Sequence, residues 1–266
     1  MPNALYPPLK PRSFGELLDA VLQIFRLSLL KCLPYASVAI IAGQLSTLYY
    51  LSRGRMPVLA SNDPVGVALY GVGSLIAVIL WVAMLLRQSC IAAGRPVSGS
   101  ADLRDTLRLA PAIAAIALLA GAAVAVLMLP VLALAPPYRT AGIAVMLAPA
   151  AYVAIALSFA LPSLALARKG VLSSLAYSFR LVRGNWWRVA TIYVAGIAAI
   201  WTLCVLVAAI AAVALSDNSG SDAAVTRAIT SAAVLAVLAV GLTFYSALTL
   251  ALFGDLEVRR MTGRSQ

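Results

Sequence analysis

Long apolar runs separated by short basic stretches organise this chain. A helix rises 1.5 Å per residue, so about 20 residues cross a hydrocarbon layer about 30 Å thick. Six uncharged stretches reach that length, at 32–51, 64–86, 110–135, 141–167, 189–215 and 228–253, and each predicts a membrane-spanning helix. Three of the segments between them are amphipathic. Ser13 stands three residues before Glu16, the spacing at which a hydroxyl and a carboxylate satisfy free backbone N–H groups at a helix start. From there Leu17, Val21, Phe25 and Leu29 keep helical spacing while Asp19, Gln23 and Arg26 fall on other faces, which predicts a helix over 13–31. A second segment, 100–109, sets Leu103 and Leu107 against Asp102, Arg104, Asp105 and Arg108. A third, 171–183, aligns Leu172, Leu175, Phe179 and Val182 and runs into Gly184, a helix-ending residue. All three have the pattern of helices lying in a membrane interface, ahead of spans one, three and five.

These elements predict an all-α fold, a polytopic membrane helix bundle that forms a single integral domain over 1–266. Arg26, Arg108 and Arg180 sit in similar triplets, Phe25-Arg26-Leu27, Leu107-Arg108-Leu109 and Phe179-Arg180-Leu181, spaced by 82 and 72 residues. Two readings stand: a three-fold repeat of an interfacial helix with a two-span hairpin, or the amphipathic, basic character of any loop that re-enters a bilayer.

Composition sharpens the membrane reading. Hydrophobic residues make up 63% of the 266 and charged residues 11%, less than half the roughly 25% of soluble domains, which excludes a water-soluble fold. The net charge of +11 then points to anionic lipid headgroups rather than to nucleic acid. Sixteen of the twenty cations fall in the N-terminal segment, the second and fourth connections and the C-terminus, against four (Arg53, Arg55, Arg139 and Arg227) in the other connections. By the positive-inside rule both termini are expected in the cytoplasm of a bacterial inner-membrane, multi-pass protein. No apolar core with a small-residue cleavage site follows Lys10 and Arg12, so no removed signal is expected.

Candidate chemistry is sparse. With no histidine the commonest general base and metal ligand are missing, and Cys32, Cys90 and Cys204 have no metal-binding or redox spacing. No phosphate loop, nucleophile elbow or paired-carboxylate site is present, and all nine acids lie outside the six spans. Neither a cofactor nor a metal is expected, and the chain reads as no enzyme. Gly73 with Ala77, and Ala117 with Gly121 and Ala125, have the small-residue spacing that lets helix backbones approach closely. Gln44 in the first span, Thr202 in the fifth and Tyr245 in the sixth either hydrogen-bond between helices or line a polar cavity. Pro130, Pro149 and Pro162 lie inside spans three and four, where each removes a helix hydrogen bond. Arg168, Lys169, Arg180, Arg183 and Arg188 form a run of five cations without an acid, which either sets topology or holds anionic lipid, with Trp186 and Trp187 as interface anchors.

Two segments carry a resemblance. Arg12 to Arg26, RSFGELLDAVLQIFR, and Ala176 to Val189, AYSFRLVRGNWWRV, resemble the bacterial membrane-domain family found at the N-terminus of some glycerophosphodiester phosphodiesterases and in stand-alone six-span proteins. The resemblance implies a multi-span α-helical domain and supplies no catalytic residue. The phosphodiesterase of the fused relatives is a soluble barrel using acidic and histidine residues around a metal, for which this sequence has neither the length nor a histidine. The expected role is a scaffold or lipid-associated accessory component with membrane lipids, and a membrane protein, as partners. The alternative is a transporter or channel-like component for a small uncharged or lipidic solute, with Gln44, Thr202 and Tyr245 lining its path.

Overall fold

The computed structural model describes residues 5–54, 63–96, 98–216 and 222–263. Arg55, Arg264 and most of the polar loop 216–222 lie outside the described residues. Among the described residues all regular structure is helical: α1 (Phe14–Gly43), α2 (Leu45–Ser52), α3 (Pro64–Ala92), α4 (Gly99–Leu132), α5 (Arg139–Leu157), α6 (Ala160–Ala165), α7 (Val171–Val182), α8 (Trp186–Ser216) and α9 (Asp222–Thr262), with one 3-10 turn at Pro136–Tyr138. Six stretches are long and apolar enough to cross a membrane: Phe14–Gly43, Pro64–Ala92, Gly99–Val131, Arg139–Ala165, Trp186–Ile210 and Ile229–Thr262.

The capping box forms as the spacing predicts, with the Ser13 N–H donating to Glu16 Oε2 at 2.7 Å and the Glu16 N–H to Ser13 Oγ at 3.3 Å. Beyond the cap the chain departs from the expectation of an interfacial helix over 13–31 and a span over 32–51. α1 runs unbroken through Pro34 to Gly43, and the break falls instead at Gln44, before the short α2. Leu17, Val21 and Ile24 are fully buried in the protein core rather than turned toward lipid. The segment 100–109 is likewise continuous with the span after it, as the first turns of α4. Only the third amphipathic segment stands as a separate helix, α7, ended by Gly184 at φ +94°. The three triplets therefore occupy unlike settings, two inside long helices and one in a short helix of its own.

The fourth span, expected over 141–167, is interrupted. α5 stops at Leu157 and α6 resumes at Ala160, close to Pro162, which has no N–H to continue the ladder. Ser178 of α7 fills the gap: its hydroxyl accepts from the Phe159 N–H at 3.1 Å and donates to the Ala156 carbonyl at 2.7 Å. Inside a bilayer an unmet backbone group is costly, so this one side chain makes the interruption tolerable.

α1 packs on α3 and α9, α8 on α9, α3 on α4 and α4 on α5, while α7 bridges α4, α5, α6 and α9. Two of these contacts rest on missing side chains. A Cβ at Gly73 of α3 would collide with the Ala42 carbonyl of α1, and one at Gly196 of α8 would come within 2.7 Å of Leu248 on α9. The main core sits at one end of the bundle, where residues 246–256 of α9 are buried without exception. Leu17 and Ile24 of α1, Phe159, Ile192 of α8 and Phe253 of α9 meet there. That end also gathers the described ends of the chain, because Leu5 bonds to Ala92 and Arg12 to both Asp255 and Arg259.

Candidate functional site

A cavity of about 770 Å³ opens between the α1–α3–α9 group and the α4–α5 pair. Ala39, Ile40, Gly43 and Gln44 form one wall, Val78 and Trp81 of α3 a second, Ala117 and Gly121 of α4 a third, and Ser158, Leu161, Leu242 and Tyr245 close the remainder. Its surface is mostly apolar, and a volume of this size falls within the range of small-molecule sites. Gln44 and Tyr245 thus share one wall system, as a cavity lining requires. Thr202 does not join them: it is exposed on α8 and its hydroxyl donates to the Ala198 carbonyl of its own helix at 2.8 Å. Gly121 also departs from its expected role in helix packing. A Cβ there would meet no atom within 4 Å, so this glycine widens the cavity instead of admitting a neighbouring helix.

Aromatic rings connect the cavity to the core. Trp81 lies 6.1 Å from Tyr245, Tyr245 5.5 Å from Tyr193, Tyr193 6.0 Å from Phe159, and Phe159 6.1 Å from Phe253, centre to centre. Polar groups brace the same helices. Gln88 of α3, fully buried, donates from Nε2 to Ser28 Oγ of α1 at 3.2 Å and to the Thr243 carbonyl of α9 at 3.1 Å.

At the basic end the five-cation run divides. Arg188 is committed to the protein: its Nη2 lies 3.4 Å from Asp255 Oδ2 and donates to the Arg12 carbonyl at 2.8 Å. Arg259 joins the same carboxylate at 2.8 Å, and the Arg12 N–H donates to Asp255 Oδ1 at 2.7 Å. Asp255 is wholly buried, and these three donors meet its two oxygens there. Asp255 lies two residues past the span read over 228–253, in the same helix, α9, which continues to Thr262. Arg168 and Arg183 are exposed at the two ends of the α7 segment, Arg168 with φ 49°. Lys169 and Arg180 face a pocket with Tyr177, Glu257, Arg260 and Met261. Trp186 stacks on Tyr152 at 5.5 Å and meets Trp187 edge-on at 4.8 Å, while Trp187 is 78% exposed.

Asp255, Ser178, Tyr177 and Arg260 are not singled out by sequence pattern. Each has a partner distant in the sequence, and apart from the i,i+4 pair of Asp255 with Arg259 no local spacing carries that information.

The family model described as the membrane domain of glycerophosphoryl diester phosphodiesterase matches residues 133–266. The match spans α5 to α9, including Ser178 and Asp255, whereas the α1, α3 and α4 walls of the cavity precede it. No curated protein and no solved structure matches the chain.

Proposed function

Because the chain belongs to the family of glycerophosphoryl diester phosphodiesterase membrane domains, we propose that it is a non-enzymatic, lipid-associated accessory or scaffold component of a bacterial envelope. In this reading it is an inner-membrane protein with both termini in the cytoplasm, and its cavity holds the chain of a membrane lipid. The cavity is the observation that carries the reading. Two packed groups of helices leave about 770 Å³ of mostly apolar space between them, and lipid chains are the abundant apolar occupants of a bilayer. Without a histidine the sequence lacks the commonest general base, which favours binding over chemistry.

Gln44, Ser158 and Tyr245 on the cavity wall favour a second reading, passage of a small uncharged or lipidic solute. Two measurements separate them. Native mass spectrometry of the protein released from mixed-lipid nanodiscs is expected to show a retained lipid in the wild type and none in Gly121→Leu, whose side chain fills open space. Equal retention in both would reject the cavity as the lipid site. Solute flux in proteoliposomes that Gln44→Leu abolishes would replace the accessory role with transport.

A further inference from the structure

A second concavity at the basic end is independent of the cavity. It measures about 350 Å³ and is lined by Lys169, Tyr177, Arg180, Glu257, Arg260 and Met261. α7 supplies Tyr177 and Arg180, and α9 supplies Glu257 and Arg260, each pair three residues apart and so on one helix face. Lys169 comes from the link before α7. Its Nζ lies 4.1 Å from the centre of the Tyr177 ring, and Arg260 Cζ lies 4.8 Å from the same centre. The Tyr177 hydroxyl donates to Glu257 Oε1 at 3.0 Å, and Arg180 Nε donates to the Ala176 carbonyl at 3.2 Å. Burial first, and then the Glu257 charge, push the Tyr177 phenol up, so it stays protonated and keeps Glu257 tethered at neutral pH.

The charge at this pocket is not balanced from within. Arg188 and Arg259 nearby share Asp255, but among the described residues none of Lys169, Arg180 and Arg260 has a carboxylate oxygen within 4.0 Å. Three cations against one carboxylate leave a surplus of two positive charges facing a concave space. A phosphate monoester carries about −1.5 to −2 at neutral pH, which matches that surplus, and guanidinium groups suit its oxygens. The volume is near the lower end of ligand sites, enough for a headgroup and not for a lipid chain.

We propose that Lys169, Arg180 and Arg260 form a binding site for a phosphate monoester, either the headgroup of a phosphatidate-type lipid or free phosphate. Glu257 is a like charge that the ligand must tolerate beside it, so its removal tightens binding. The proposal goes beyond the cavity reading and stands if that reading fails.

The test uses the full chain in nanodiscs of neutral lipid. One arm adds phosphatidate and reads its retention by native mass spectrometry, with phosphatidylglycerol as the diester comparison. The other titrates inorganic phosphate calorimetrically. Arg260→Gln combined with Lys169→Gln is expected to weaken binding about tenfold or more, whereas Arg104→Gln, an exposed cation away from the pocket, leaves it unchanged. Glu257→Gln is expected to strengthen it about fivefold, a gain that misfolding cannot produce. Retention of phosphatidate with this pattern assigns a lipid headgroup, and heat from inorganic phosphate alone with this pattern assigns a soluble source. Absence of both, or equal loss in Arg104→Gln, overturns the site.

Discussion

Ser178 satisfies two backbone groups with one hydroxyl, and both belong to the interrupted fourth span. Ser178→Ala removes that hydroxyl and leaves the Phe159 N–H and the Ala156 carbonyl unmet in a buried place, which is expected to cost about 1–3 kcal/mol. Thermal unfolding in a fixed detergent measures it; a variant as stable as wild type would mean that the break is satisfied in another way. The proline that weakens this span is visible in the sequence, but its remedy lies 16 residues further along, on a helix that must first pack back. The glycines make the same point. Gly73 and Gly121 have the same small-residue spacing, yet one touches a backbone carbonyl and the other faces open space. Spacing shows that a position is small, and only the neighbouring helix decides whether the smallness serves contact or cavity.

At the scale of elements, the six membrane-spanning stretches and their helical type were legible because apolar length is a direct consequence of bilayer thickness. The division into interfacial helix and span was not. An amphipathic stripe reports that one face avoids water, and it reads the same whether that face meets lipid or α9. In α1 Leu17 and Val21 of that stripe meet protein together with Ile24, and small buried residues at Cys32, Ala36 and Ala39 carry the packing past Pro34. Proline costs one hydrogen bond inside a helix, and continuous burial against α3 and α9 outweighs it. Hydrogen exchange is therefore expected to show residues 24–40 protected as one block apart from Pro34 itself. A rapidly exchanging hinge near 31–33 would restore two separate helices.

Across the whole molecule, the cations that the sequence divides sixteen to four also group by contact. Arg12, Arg188 and Arg259 meet around Asp255, Lys169 and Arg260 flank Tyr177, and Leu5 reaches Ala92, so the ends of α3 and α9 and the starts of α1 and α8 share one end of the bundle. In the proposed topology such an end is expected on the cytoplasmic side, and moving each Lys or Arg through the hydrocarbon would cost about 2.5–3.5 kcal/mol. Orientation is then a property of the assembled bundle and not of any one loop. With Cys32, Cys90 and Cys204 replaced by alanine, single cysteines at two exposed positions test it: Arg53→Cys on the sparse side and Arg168→Cys on the basic side. A membrane-impermeant maleimide is expected to label Arg53→Cys in spheroplasts and Arg168→Cys only after permeabilisation. The reverse pattern would place the phosphate pocket outside the cell, where the headgroups of the cytoplasmic leaflet could not reach it. Labelling of both positions in sealed spheroplasts would break the link between charge and topology, because the cations grouped at that end would then fail to fix the bundle in one direction.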